Sequence, residues 1–128
     1  MPSFRRSDDS PAEEPPPFQD LPPHAALALW RERQATLCLI DVRTLPEHAS
    51  HRIPGSRTIP LQDLAGRLAE LDPQRPTLVY CEHGIRSIRA AVLLATAGFD
   101  RVYNLRGGIV QWPGELEGTD CQRPGTGQ

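Results

Sequence analysis

The chain has 128 residues, enough for one domain with a sizeable core, and its formal net charge of -2 leaves no basic footprint for nucleic acid. All 14 basic residues are Arg and they are scattered, while the three cysteines (Cys38, Cys81 and Cys121) are odd in number and unpaired in spacing, which argues against a disulfide framework. No apolar run approaches the length of a membrane span, and Arg5-Arg6 leads into acidic, Pro-rich sequence rather than an apolar signal segment, so a cytoplasmic protein with no membrane partner is expected.

Residues 1–20 are rich in Pro, Ser, Asp and Glu and are expected to form a disordered tail ahead of a domain over 21–113. Pro22 and Pro23 can open a helix, with Leu21, Ala25, Ala28 and Leu29 as its buried stripe. Leu37 to Ile40 is continuously apolar, as in a strand covered on both faces, and Cys38 reads as plain core within it. Asp41 and Arg43 then put two charges at the strand's carboxyl end. Thr44 to Ser50 predicts a short helix in which Glu47 completes a capping box with Thr44. A turn at Ile53 to Ser56, a brief strand at Arg57 to Ile59, and a helix after Pro60 follow. That helix would carry Leu61, Leu64, Ala65, Leu68 and Leu71 on one face and stop at Asp72-Pro73.

Thr77 to Gly98 dominates the chain. Thr77 to Tyr80 predicts a strand, and apolar residues at 88, 91, 92 and 95 predict one face of a helix capped by Ser87 and stopped by Gly98. Cys81 falls between these elements. Gly84 permits a turn that aims backbone N–H groups at one spot, so the thiol would face amide donors and the positive end of a helix dipole, conditions that favour an anion at sulfur. The plain alternative is that Cys81 is the last buried residue of a core strand. The loop of Glu82, His83, Gly84, Ile85, Arg86 and Ser87 argues against it, because a structural strand end needs no such loop. Arg101 to Leu105 predicts a further strand, Gly107-Gly108 a sharp turn, Ile109 to Trp112 a short closing helix, and 114–128 a flexible tail. Strands and helices alternate throughout, so the fold class is α/β with a mainly parallel sheet, and ligands should bind at the carboxyl ends of its strands. Asp41, Arg43 and Cys81 all fall on that edge.

Taken together, LIDVR (39–43), Pro46-Glu47, RIPGS (52–56), Ile59-Pro60, VYCEHGIRS (79–87), AGF (97–99) and VYNLRGGIVQW (102–112) resemble a single-domain rhodanese, a family of sulfurtransferases. The resemblance covers roughly residues 22–113. It implies a three-layer fold around a central five-stranded sheet, with Cys81 as the sulfur-carrying nucleophile and residues 82–87 as its loop. The chain departs from the family's usual residues at His48, His51 and Arg52, outside the nucleophile loop, where packing and partner choice are at stake. Its C-x4-R spacing from Cys81 to Arg86 is one residue shorter than the C-x5-R of cysteine-dependent phosphatases, whose longer loop suits a tetrahedral phosphate. Glu82 disfavours a dianion beside the cradle, thiosulfate included, so a thiol persulfide donor is expected to be preferred.

The expected chemistry is ping-pong. Cys81 takes a sulfane sulfur from thiosulfate or a thiol persulfide and passes it to cyanide or a thiol, with no metal or organic cofactor. A protein donor or acceptor is also conceivable. Loop amides would stabilise the persulfide charge. Arg86 could attract the anionic donor or brace the loop against Asp41 or Glu47; the brace is preferred, since Arg at a helix start needs a partner. Asp41, Arg43 and Glu47 are read as loop support. His83 could move a proton or simply face solvent. His48 and His51 lack a third metal ligand and read as a solvated helix end, and Cys121 reads as a spectator rather than a resolving thiol. Two other functions stay open: a protein-interaction or persulfide-sensing module without turnover, and a phosphatase or arsenate reductase, which the short loop disfavours.

Overall fold

The computed structural model describes residues 17–119, so the expectations for residues 1–16 and for Cys121 lie outside it. Five strands form one parallel sheet: β1 (Gln19–Leu21), β2 (Cys38–Asp41), β3 (Arg57–Thr58), β4 (Thr77–Tyr80) and β5 (Val102–Leu105), in the spatial order β1-β5-β4-β2-β3. Four helices connect them: α1 (Pro23–Glu32), α2 (Leu45–Ser50), α3 (Leu61–Leu64, continuing as a 3-10 turn over Ala65–Glu70) and α4 (Arg86–Thr96). A second 3-10 turn, Ile109–Gln111, closes the domain. β4 lies at the centre, in register with β2 through Asp41 opposite Tyr80, so Cys81 and the Asp41–Arg43 segment leave the sheet side by side.

Alternation along the central strands divides the core in two. Cys38, Ile40, Val42, Val79 and Cys81 face α3 and α4. Leu37, Leu39, Leu78 and Tyr80 face α1 and the closing turn with Ile109 and Trp112. Burial on both faces is why these strands read as unbroken apolar runs. Cys38 is core, as its position predicts, and burial pushes its thiol pKa up.

Several boundaries and faces differ from the sequence reading. Gln19 and Asp20, assigned to a tail, form the edge strand β1 against Tyr103 and Asn104. Residues 114–119 are packed rather than free: Arg52 and Glu117 exchange backbone hydrogen bonds, and Glu115 accepts from the Trp112 indole. In α1 the buried residues are Ala26 and Leu27, because the phase is set by Trp30, whose indole donates to Pro54 and stacks edge-on against Trp112. The 60–71 segment holds α geometry for only one turn before the 3-10 turn that contains Gly66, a poor helix former, and Ala65 points to solvent. In α4 the predicted period is present, and Ala91 and Ala95 meet the core, but the buried face is rotated away from Ile88 and Val92. Ser87, Ala90, Ala91 and Leu94 are buried, while Ile88 and Val92 are 38% and 40% exposed. Small Ala90 and Ala91 let the helix sit close on the sheet, and Ser87 is drawn inward by the bonds described next.

Candidate active site

Cys81 follows directly on β4, and only 1% of it is exposed. Gly84, at φ +85°, turns the loop so that its N–H donates to Cys81 Sγ at 3.2 Å; the Ser87 N–H donates to the same sulfur at 3.3 Å. α4 begins at Arg86, so the sulfur lies at the helix's positive end. Ser87 is therefore not the cap: Ile85 holds that position without a side-chain cap bond, and Ser87 lies within the first turn. The carbonyls on the other side of the loop are occupied. Ile109 N–H donates to the Cys81 carbonyl at 2.9 Å and Val110 N–H to that of Glu82 at 3.3 Å. Gly108, at φ +76°, approaches so closely that a Cβ there would lie 2.2 Å from the Glu82 oxygen. The Gly pair thus does more than turn the chain: it clamps the Cys81 loop from the segment that follows β5.

Ser87 carries a second chain of bonds. The Cys81 thiol donates to Ser87 Oγ (3.3 Å), which donates to Asn104 Oδ1 (2.5 Å). Asn104 Nδ2 in turn donates to Asp20 Oδ1 at 2.9 Å. Asn104 and Asp20 were not among the site residues read from sequence. The signal was present for Asn104, since an amide in an otherwise apolar strand must find partners when buried. Asp20 gave none, because only the pairing of β1 with β5 brings it there.

Asp41 and Arg43 form a fully buried ion pair. Arg43 Nε donates to Asp41 Oδ1 at 3.0 Å and Nη2 to Oδ2 at 2.9 Å, and the Arg43 backbone N–H also reaches Oδ1. Burial works against the Arg43 charge, but the Asp41 carboxylate outweighs it and raises the guanidinium pKa. Arg43 Nη1 donates to Glu82 Oε1 at 3.1 Å, and Nη2 to the His51 carbonyl at 2.5 Å. Glu82 is therefore a compensated charge, and the repulsion of dianions expected from it is offset. His48 is not a solvated end: its Nδ1 lies 2.9 Å from Asp41 Oδ2. Tyr80, beneath Arg43, accepts from the Ile53 N–H and shares a hydrogen bond with Ser56, and burial pushes its phenol pKa up.

The α2 capping box forms as its spacing predicts. Glu47 is also the partner of Arg86, which donates to both its oxygens at 3.3 Å. Partial burial opposes ionisation of Glu47, but hydrogen bonds from Arg86 and Thr44 prevail and lower its pKa to about 2. The brace is thus the arrangement Arg86 adopts. His83 faces solvent, and Ile85 beside it is 72% exposed. Among the described residues no three His, Cys, Asp or Glu side chains are grouped to hold a metal, and no helix is long and apolar enough to cross a membrane.

Comparison with known proteins agrees with this geometry. A family model described as a rhodanese-like domain matches residues 24–115. The thiosulfate sulfurtransferase GlpE of Pseudomonas fluorescens is 34% identical over 109 residues, covering 82% of this chain and 97% of that protein. YqhL of Bacillus subtilis, an uncharacterised protein, is 40% identical over 79 residues, covering 62% of this chain and 63% of its own length. The solution structure of the rhodanese-like domain of Alr3790 from Anabaena superposes with a TM-score of 0.73 at 26% identity, covering 85% of this chain and 86% of that domain.

Proposed function

The chain belongs to the rhodanese-like family, and from that premise we propose that it is a sulfurtransferase carrying a sulfane sulfur on Cys81. The thiolate of Cys81 attacks the outer sulfur of thiosulfate or of a thiol persulfide. A new S–S bond forms, the donor's own S–S bond breaks, and sulfite or a thiolate leaves with its electron pair. Cyanide or a thiol then attacks the outer sulfur of the Cys81 persulfide and returns the thiolate. The observation that carries this reading is the pair of N–H bonds from Gly84 and Ser87 to Cys81 Sγ at the start of α4. These donors are in place before charge develops, so they stabilise an anionic sulfur without reorganisation. Asp41, Arg43 and Glu47 support the loop, through Arg43 to Glu82 and through Glu47 to Arg86.

Intact mass spectrometry of the reduced protein, before and after thiosulfate or a thiol persulfide, tests the proposal. A gain of one sulfur, removed by cyanide and absent from Cys81→Ser, is expected. No adduct with either donor overturns it and leaves the interaction-module reading.

A further inference from the structure

Beside the nucleophile loop lies a cavity of about 390 Å³ lined by Val42, Thr44, Leu61, Gln62, Arg86, Arg89 and Leu93. Its wall includes Arg86, the residue that closes the loop. Val42 follows β2 at the carboxyl edge of the sheet, the edge that Cys81 leaves from β4. At about 30 Å³ per water the space equals roughly a dozen waters, far more than thiosulfate fills, and within the size range of small-molecule sites.

The charges on this wall are unequal. Arg86 is matched by Glu47. Arg89, one turn on and exposed, has no carboxylate or hydrogen-bond partner among the described residues, and the first turn of α4 contains no acidic side chain. A second cation in a first turn opposes the helix dipole, so nothing in the fold's own stability calls for Arg there. An unmatched guanidinium over an apolar floor of Val42, Leu61 and Leu93, flanked by the amide of Gln62 and the hydroxyl of Thr44, is complementary to a small flexible molecule with carboxylate and amide groups.

Resting on the sulfurtransferase reading above, we propose that this groove seats the organic part of a carboxylate-bearing low-molecular-weight thiol, with Arg89 as the residue that selects for its charge. Bound there as its persulfide, the molecule presents its outer sulfur to the Cys81 thiolate and departs as the thiolate when its S–S bond breaks. Bound as the free thiol, it is placed to take the sulfur back.

Two measurements on the full chain test this. Titration with S-methylglutathione, which has no reactive sulfur, is followed by amide chemical shifts; movement of Gln62, Arg89 and Leu93, absent with its diethyl ester, is expected. Loading of Cys81 is then compared between glutathione persulfide and the persulfide of the diethyl ester. Glutathione persulfide should load about fivefold faster at equal subsaturating concentration, and Arg89→Gln should bring the two within about twofold. Equal loading by the wild type, a ratio that survives Arg89→Gln, or a titration that leaves these amides unmoved overturns the groove proposal. Failure of every donor to load Cys81 overturns instead the sulfurtransferase reading on which it rests, while the titration still judges the groove.

Discussion

Arg43 holds Asp41 with three side-chain hydrogen bonds while both side chains are wholly buried, and its Nη1 reaches Glu82 next to Cys81. One guanidinium thus joins the ends of β2 and β4. Removing one partner of such a pair leaves an uncompensated buried charge. Arg43→Ala should therefore cost about 3–5 kcal/mol, read from urea unfolding. Arg43→Met with Asp41→Asn should recover part of that stability, and Cys81 loading should remain slow because Glu82 has lost its anchor.

Asn104 accepts the Ser87 hydroxyl and donates to Asp20. Asn104→Ala leaves the buried Ser87 hydroxyl without its acceptor and should cost about 1–3 kcal/mol. Since Ser87 touches the sulfur, the rate of Cys81 alkylation by iodoacetamide should change severalfold. Cys38, whose thiol pKa is pushed up by burial, should alkylate more slowly than Cys81, whose sulfur faces two N–H donors, which peptide mapping of the alkylated chain would show.

Gly108 and Gly55 both have positive φ, but their surroundings differ. A Cβ at Gly108 would meet the Glu82 carbonyl oxygen at 2.2 Å, whereas one at Gly55 meets nothing within 4 Å. Gly108→Ala should cost about 2–5 kcal/mol, combining backbone strain with a clash against rigid backbone. Gly55→Ala should cost only the conformational penalty, about 1 kcal/mol. Similar thermal melts for the two variants would show that Gly108 does not clamp the Cys81 loop.

Glu47, lowered from 4.5 to about 2 in the folded protein, binds its proton less readily folded than unfolded. Its contribution to stability is therefore present above about pH 4.5 and is lost as pH falls toward 2. The carboxylate is 34% exposed, so the contribution is discounted to about 1 kcal/mol or less. Glu47→Gln should lower stability at pH 7 by about that amount and converge on the wild type only as pH approaches 2, read from urea midpoints across that range. A constant difference at every pH would exclude the charge as its source.

The sequence by itself determined what depends on neighbours in the chain. Apolar runs bounded by Pro, Gly and Asp marked the strands, Thr44-x-x-Glu47 marked a capping box that forms as written, and Gly84 three residues after Cys81 marked a turn with N–H groups aimed at the sulfur. Each is governed by local sterics and hydrogen bonds within a few residues. The tertiary structure decided phase and partnership. Periodicity gave α4 its apolar residues but not the face it buries, because Ser87's bonds to Cys81 and Asn104 fix its rotation. Asp20 reads as tail until β1 pairs with β5, and Glu82 reads as a free charge until Arg43 crosses from β2. The cavity beside Arg89 exists only where α3, α4 and the end of β2 converge. Contacts across 39 or 84 residues follow from strand order, and strand order is set by the burial of both sheet faces at once.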